Sequence, residues 1–245
     1  MFNVKPPKIL CLLLISILLF LSPKKAQPSA SNFRYDIGSH HLTVQIDPSR
    51  HLIKAEDRVK VHLKERNIQS LSFLIHPRLK ILRVVNLKTG ESLSWTETSI
   101  STYVKKLDIS FKRLKTPLSI SITYEGEIYD PVVKEKELQF VKGDRTSGLI
   151  GQEGVYLSSS SHWFPNRPNS MAIFEVKVTI PEPFRVVTQG KLLFEELKDG
   201  HWQSEWISER PMDGLVLIAG RYSVKRKDVD GIKISNRLGE FFHNS

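Results

Sequence analysis

Along most of the chain, apolar and polar residues alternate one by one. Leu42, Val44 and Ile46 alternate with Thr43 and Gln45, and Val59, Val61 and Leu63 with Lys60 and His62. Leu118, Ile120, Ile122 and Tyr124 alternate with Ser119 and Ser121, and Phe174, Val176, Val178 and Ile180 with Lys177 and Thr179. Successive side chains on a strand point to opposite faces, so each apolar set shares one face of a sheet and each polar set the other. The spacing therefore predicts amphipathic, mainly antiparallel sheet. Turn chemistry separates the runs at Asp47-Pro48-Ser49, His76-Pro77, Thr89-Gly90, Thr116-Pro117, Pro181-Glu182-Pro183, Asp199-Gly200 and Asp230-Gly231. Lys198-Asp199-Gly200-His201 is the clearest hairpin, because Asp-Gly supplies the positive backbone angles of a tight turn. Leu215 to Ala219 is apolar throughout and predicts a central strand covered on both faces. The irregular stretch Asp130 to Gly151 reads as a long loop in preference to a short helix over Glu135 to Lys142, and Ser158 to Ser161 as a strand end. The fold class is all-β.

The first thirty residues break the pattern. Lys5 and Lys8 precede an apolar run from Ile9 to Leu21, interrupted only by Ser16, and a polar stretch with small residues follows. This is the layout of an export signal helix, with cleavage expected after Ala30. The run falls short of the ~20 residues that span a bilayer. An uncleaved signal anchor is the alternative, with lysines on both flanks holding a short tilted helix. Residues 1–30 are thus a signal peptide or signal anchor, and the chain is expected to be exported: periplasmic, secreted or held at the outer face of a membrane. Cys11, the single cysteine, lies inside the run, so the exported part forms neither a disulfide nor a thiolate metal site.

The formal net charge is +10, but Lys5, Lys8, Lys24 and Lys25 belong to the signal, leaving +6 for the remainder. Lysines there are interspersed with acids, as in AEDRVKVHLKER, rather than gathered on a face, so a nucleic-acid partner is not expected.

Candidate chemistry is sparse. A zinc peptidase of the His-Glu-x-x-His type needs two histidines four apart on a helix with a glutamate beside them, and none of the eight histidines begins that pattern. Gly239-Glu240-Phe241-Phe242-His243 has glycine where the first ligand belongs. His40, His41, His51 and His62 read as exposed histidines rather than as a metal cluster. Gly143 to Gly151 has two glycines at phosphate-loop spacing, but Leu149 and Ile150 follow where lysine and serine or threonine are required. No glycine frame exposes a nucleophile among Ser158 to Ser161. Trp163, Phe164, Trp202 and Trp206 are expected to close a core rather than to form a binding platform.

The order of segments from Gly154 onward carries more. GVYLSSSSHWFPNRP, FEVKVTIPEPFRVVTQGKL, HWQSEW and GLVLIAGRYSV resemble the amino-terminal β domain of the aminopeptidase N-like (membrane alanyl aminopeptidase, gluzincin) zinc metallopeptidases. The likeness runs in order over residues 33 to 235 and is specific over 150 to 222. It implies a saddle-like, multi-sheet antiparallel and mixed β domain over residues 31–235, packed in the parent enzyme against a zinc-bearing catalytic domain, with a tail at 236–245. It also implies that a glutamine or glutamate ahead of the aromatic-Pro element helps to hold the free amino terminus of a substrate. By position these are Gln152 and Glu153, acceptors suited to an ammonium. Asn166-Arg167-Pro168 stands where the family has a cysteine and an acidic pair.

The expectation is an exported, catalytically silent domain of such a peptidase, truncated or stand-alone. No catalytic or metal residues are expected in this chain, and the zinc belongs to the parent family. The partner would be a catalytic peptidase domain or a peptide, and an open docking face would favour oligomers. The alternative is a stand-alone extracytoplasmic module that grips a peptide or envelope partner at a sheet edge.

Overall fold

The computed structural model describes residues 34–65, 68–111, 117–131, 146, 148–229 and 232–239, with side chains given up to Ser223. The expected signal helix, the candidate helix over 135–142 and the near-motif at 239–243 lie wholly or partly outside them. What is described is one β unit within 33–245.

Sixteen strands form four sheets. The largest joins seven in the order β12 (Lys191–Lys198), β13 (His201–Ile207), β10 (Ile173–Pro181), β1 (Tyr35–Asp47), β2 (Leu52–Leu63), β7 (Leu118–Glu127) and β4 (Lys80–Asn86). Every pairing in it is antiparallel except β1 with β10, which makes the sheet mixed. A three-stranded sheet comprises β3 (Ser70–Ile75), β6 (Lys105–Ser110) and β5 (Ser94–Ser99). A four-stranded sheet comprises β11 (Arg185–Thr188), β14 (Leu217–Gly220), β9 (Gly154–Leu157) and β8 (Leu149–Gly151). Finally, β15 (Tyr222–Val229) and β16 (Ile232–Gly239) pair only with each other.

The alternation read from the sequence places the core. Leu42, Val44 and Ile46 of β1, Val59 and Val61 of β2, Ile120, Ile122 and Tyr124 of β7, and Phe174, Val176, Val178 and Ile180 of β10 are all buried. They form one cluster with Leu71, Phe73, Leu107 and Ile109 of the three-stranded sheet and with Val155, Leu157, Val186, Leu217 and Ala219 of the four-stranded one. Both small sheets therefore cover the same face of the large sheet. Its other face is a polar lattice of cross-strand pairs: Lys54–Glu125 at 3.4 Å, His41–Glu175 at 3.0 Å and Lys177–Glu205 at 3.6 Å. Opposite charges facing each other across strands add a few tenths of a kcal/mol each and help to fix register.

Several local expectations change. Leu149–Gly151, read as the end of a loop, is strand β8, held by Ile150 N–H donating to Ile128 O at 2.9 Å. Ser159–Ser161 form a 3-10 turn, closed by left-handed His162 (φ 50°), instead of a strand end. β14 is interior to its sheet, as expected, but covered on one face only, since Ile218 is 36% exposed. The Asp199-Gly200 hairpin is present, with φ of 50° and 70°. Strand β16 carries regular structure to Gly239, past the limit placed at 235.

His40 departs furthest from expectation. Read as a surface histidine, it is fully buried, stacked on Phe174 (ring centroids 5.1 Å, 7° between planes) and edge-on to Phe164. His40 stands two residues before Leu42 in unbroken register, so strand alternation itself puts it on the side of Leu42 and Val44, and the bulge between Ile37 and Ser39 brings Tyr35 and Ile37 to that buried side as well. Its Nδ1 lies 2.7 Å from Oδ2 of Asp57, also fully buried. On the next strand burial, and secondarily the charge of Asp57, holds the phenol of Tyr124 well above the usual tyrosine range.

Candidate substrate-facing and docking surface

The segment Trp163–Asn166 stitches the three larger sheets together. Trp163 Nε1 donates to Leu215 O at 3.2 Å, just before β14. Asn166 and Leu74 exchange backbone hydrogen bonds of 2.7 and 3.0 Å, reaching β3. The Phe164 ring meets Phe174 of β10 edge-to-face at 5.6 Å. Trp163 and Phe164 are 0% and 1% exposed, so the aromatic-Pro element is core, as expected.

This anchoring fixes the orientation of the four-stranded sheet, on which both sequence-predicted site residues lie. Gly151 pairs with Gly154, leaving Gln152 and Glu153 as the two central, exposed residues of a tight hairpin between β8 and β9. The carboxylate of Glu153 folds back over Gly151, where a Cβ would come within 2.2 Å of its Oε2. Gly154 sits at φ +150°, a conformation that suits glycine and lets the chain re-enter the sheet. Gln152 and Glu153 are thus side by side at one end of the sheet, with their acceptors open to solvent.

Sequence reasoning missed the surface beside them. The register Leu149–Tyr156–Ile218–Val187 crosses all four strands in one row. Its centre is open, with Tyr156 42% and Ile218 36% exposed. The buried row beneath is Ile150–Val155–Ala219–Val186. A sheet apolar on both faces needs a cover for the second one. The alternation in GVYL and LVLIAG carried the signal, but four-residue apolar strands look alike whether one face is covered or two.

A cluster at the border with the large sheet completes the surroundings. Arg185 of β11 donates through Nε to Glu195 Oε1 of β12 at 3.2 Å and lies 4.1 Å from the centre of the Trp202 ring. This cation is tied to structure, and no free guanidinium is available there to a ligand.

The four amino-terminal histidines make separate contacts. His40 meets Asp57, His41 meets Glu175 at 3.0 Å, His51 meets Ile150 O at 2.6 Å, and the His62 ring lies against Gly38. Among the described residues no group of three or more His, Cys, Asp or Glu could hold a metal ion. His76, outside that set, is 4% exposed, and its Nδ1 accepts from Arg78 N–H at 3.3 Å. Burial, with Arg78 nearby, lowers its pKa from 6.5 to about 4. The unfolded chain then binds the extra proton between pH 6.5 and 4, so this contribution is complete above pH 6.5 and declines as pH falls through that window. The loss should be on the order of 3 kcal/mol. Urea titrations across the window should show a flattened acid limb in His76→Gln; an unchanged limb would assign the acid sensitivity elsewhere.

No family model matches the sequence, and no curated protein matches it. Solved structures do. An M1 zinc metallopeptidase from Deinococcus radiodurans, bound to a Tyr-Ser-Ala substrate, superposes with a TM-score of 0.62 at 14% identity, over 83% of this chain and 47% of that one. Yeast LTA4 hydrolase in complex with bestatin gives 0.58 at 12% identity, over 86% of this chain and 33% of that one. The chain spans less than half the length of these two neighbours. Zinc, named for the Deinococcus protein, finds no fitting donor set among the described residues here. The chain therefore shares its fold with part of an M1 zinc metallopeptidase and with part of yeast LTA4 hydrolase.

Proposed function

We propose that this chain is an exported, non-catalytic β domain of an aminopeptidase N-like zinc metallopeptidase. In the complete enzyme the four-stranded sheet faces a catalytic half, and Gln152 and Glu153 accept hydrogen bonds from the amino terminus of a bound peptide. The observation that carries the reading is the open apolar row Tyr156–Ile218 next to the Gln152-Glu153 hairpin, on a unit whose fold recurs in M1 metallopeptidases. The two-stranded β15–β16 sheet supports it. Among the described residues β15 and β16 pair only with each other, and an isolated two-stranded sheet is marginal in water. Such a hairpin gains most of its stability by joining further strands.

The chemistry assigned to this chain is positioning. A carboxylate and an amide oxygen orient an ammonium, and a covered apolar face excludes water from around it. The zinc and the water it activates would come from the catalytic half.

The purified chain, supplied with zinc, should not hydrolyse amino-acid anilides. It should co-purify with a protein that bears His-Glu-x-x-His and does hydrolyse them, and Tyr156→Asp should reduce that capture at least tenfold, the cost of placing a charge in an apolar interface. Chelator-sensitive turnover by the chain alone, or capture indifferent to Tyr156→Asp, would remove the proposal.

A further inference from the structure

The free edge of the seven-stranded sheet is strand β12, KLLFEELK, and it exposes more large apolar side chain than any other described strand: Leu193 at 49%, Phe194 at 40% and Leu197 at 46%. Edge strands are ordinarily guarded by charge, by bulges and by shortness. β12 has a bulge between Leu192 and Phe194, yet Leu193 and Phe194 sit at that bulge in the open, and Leu197 is open further along the strand.

The bulge also makes the strand self-complementary. Across β13, Lys191 lies opposite Ile207, Phe194 opposite Glu205 and Glu196 opposite Gln203. Ile207, Glu205 and Gln203 are spaced by two and share a face, so Lys191, Phe194 and Glu196 share it as well. Lys191 and Glu196 are five residues apart, and without the extra residue they would point to opposite faces. Now consider a second β12 laid antiparallel alongside the first, about a twofold axis between Leu193 and Phe194. Leu193 then lies opposite Phe194 twice, and Lys191 opposite Glu196 twice, each charge pair on a common face. Sliding by one residue sets Lys191 against Leu197 in one direction. In the other it sets Lys191 against Glu195, whose carboxylate is turned away to Arg185 and is 1% exposed. Neither Lys191 nor Glu196 has an ion-pair partner of its own among the described residues.

We propose that β12 is a homodimerisation edge, at which two copies of this chain pair antiparallel in the register Lys191–Glu196 and Leu193–Phe194. The contact is isologous and closes on itself, so it ends at two copies. It uses the opposite end of the large sheet's strand order from β4 and leaves the Gln152-Glu153 hairpin out of the pairing. It stands or falls independently of the peptidase reading.

The test is a charge exchange in the full chain, followed by sedimentation over a wide concentration range. Wild type should be a dimer that dissociates on dilution. Lys191→Glu alone and Glu196→Lys alone should each weaken association by roughly tenfold or more, since each converts two attractive cross-strand pairs to repulsive ones. Lys191→Glu combined with Glu196→Lys should recover it. All four residues of the pairing are exposed, and matching far-UV circular dichroism would show the variants folded. A wild-type chain monomeric at the highest concentration reached would overturn the proposal. So would association unmoved by either single reversal, or not recovered by the pair.

Discussion

Asp57→Ala should lower the unfolding free energy by about 3–5 kcal/mol, the usual cost of removing one partner from a fully buried carboxylate–imidazole contact. Total stability of a domain is ordinarily about 5–15 kcal/mol, so about a fifth of it or more would be lost. His40 and Asp57 are both 0% exposed and 2.7 Å apart, on neighbouring strands at the middle of the largest sheet. Removing the carboxylate leaves His40 Nδ1 facing apolar side chains, with Phe174 stacked on its ring. Water cannot reach it without opening the sheet. The pair itself need not be stabilising. Among the described residues His40 Nε2, Asp57 Oδ1 and the Tyr124 hydroxyl have no hydrogen-bond partner, so the cluster is only half satisfied. The combined His40→Leu and Asp57→Leu variant should therefore be more stable than either single variant, and close to wild type. Urea unfolding followed by tryptophan fluorescence would measure all five proteins: wild type, Asp57→Ala, the two single leucine variants and their combination. A loss below about 1 kcal/mol in Asp57→Ala would show that the site relaxes or hydrates, contrary to its burial.

Gly190→Ala should cost about 3 kcal/mol, combining backbone strain with steric overlap. Gly190 turns the chain from β11 into β12 at φ +104°, and a Cβ there would come within 2.3 Å of Ile207 O, a backbone atom that cannot swing aside. Gly200 provides the control. It has φ +70° at the β12–β13 hairpin, with nothing within 4 Å of its would-be Cβ. Strain alone acts there, so Gly200→Ala should cost about 1 kcal/mol. Melting temperatures of the two variants separate the contributions: equal shifts would mean that the contact between Gly190 and Ile207 does not constrain the fold.

Much of this architecture was legible in the sequence because one physical rule, period-two alternation, holds along the long strands. The apolar sets of β1, β2, β7 and β10 were readable because each strand is long enough for four or more inward side chains to repeat. Short strands gave no such redundancy. β8 has three residues and lies where glycines and polar residues suggest a loop; it pairs with the adjoining β9 and is held on its other side by Ile128, a contact across twenty-two residues that no local window contains. His40 was misplaced because a polar residue one step ahead of Leu42 in the alternation reads as surface, and the buried carboxylate that partners it, Asp57, lies on the neighbouring strand seventeen residues away. The candidate site followed the same division. The sequence order put forward Gln152 and Glu153 as candidates, whereas their neighbours Tyr156 and Ile218 become a surface only through a register of strands sixty residues apart.

The parallel joint between β1 and β10 has a consequence in time. Ser39–Gln45 must wait for Ile173–Thr179, 134 residues further along, before gaining their second neighbour, so the central ladder of an emerging polypeptide closes long after its first strand has appeared. Ordering that much intervening chain is slow compared with local pairing. Growth from one end to the other thus keeps the polypeptide pliable until late, a condition that suits any route requiring passage as a loose thread before final assembly.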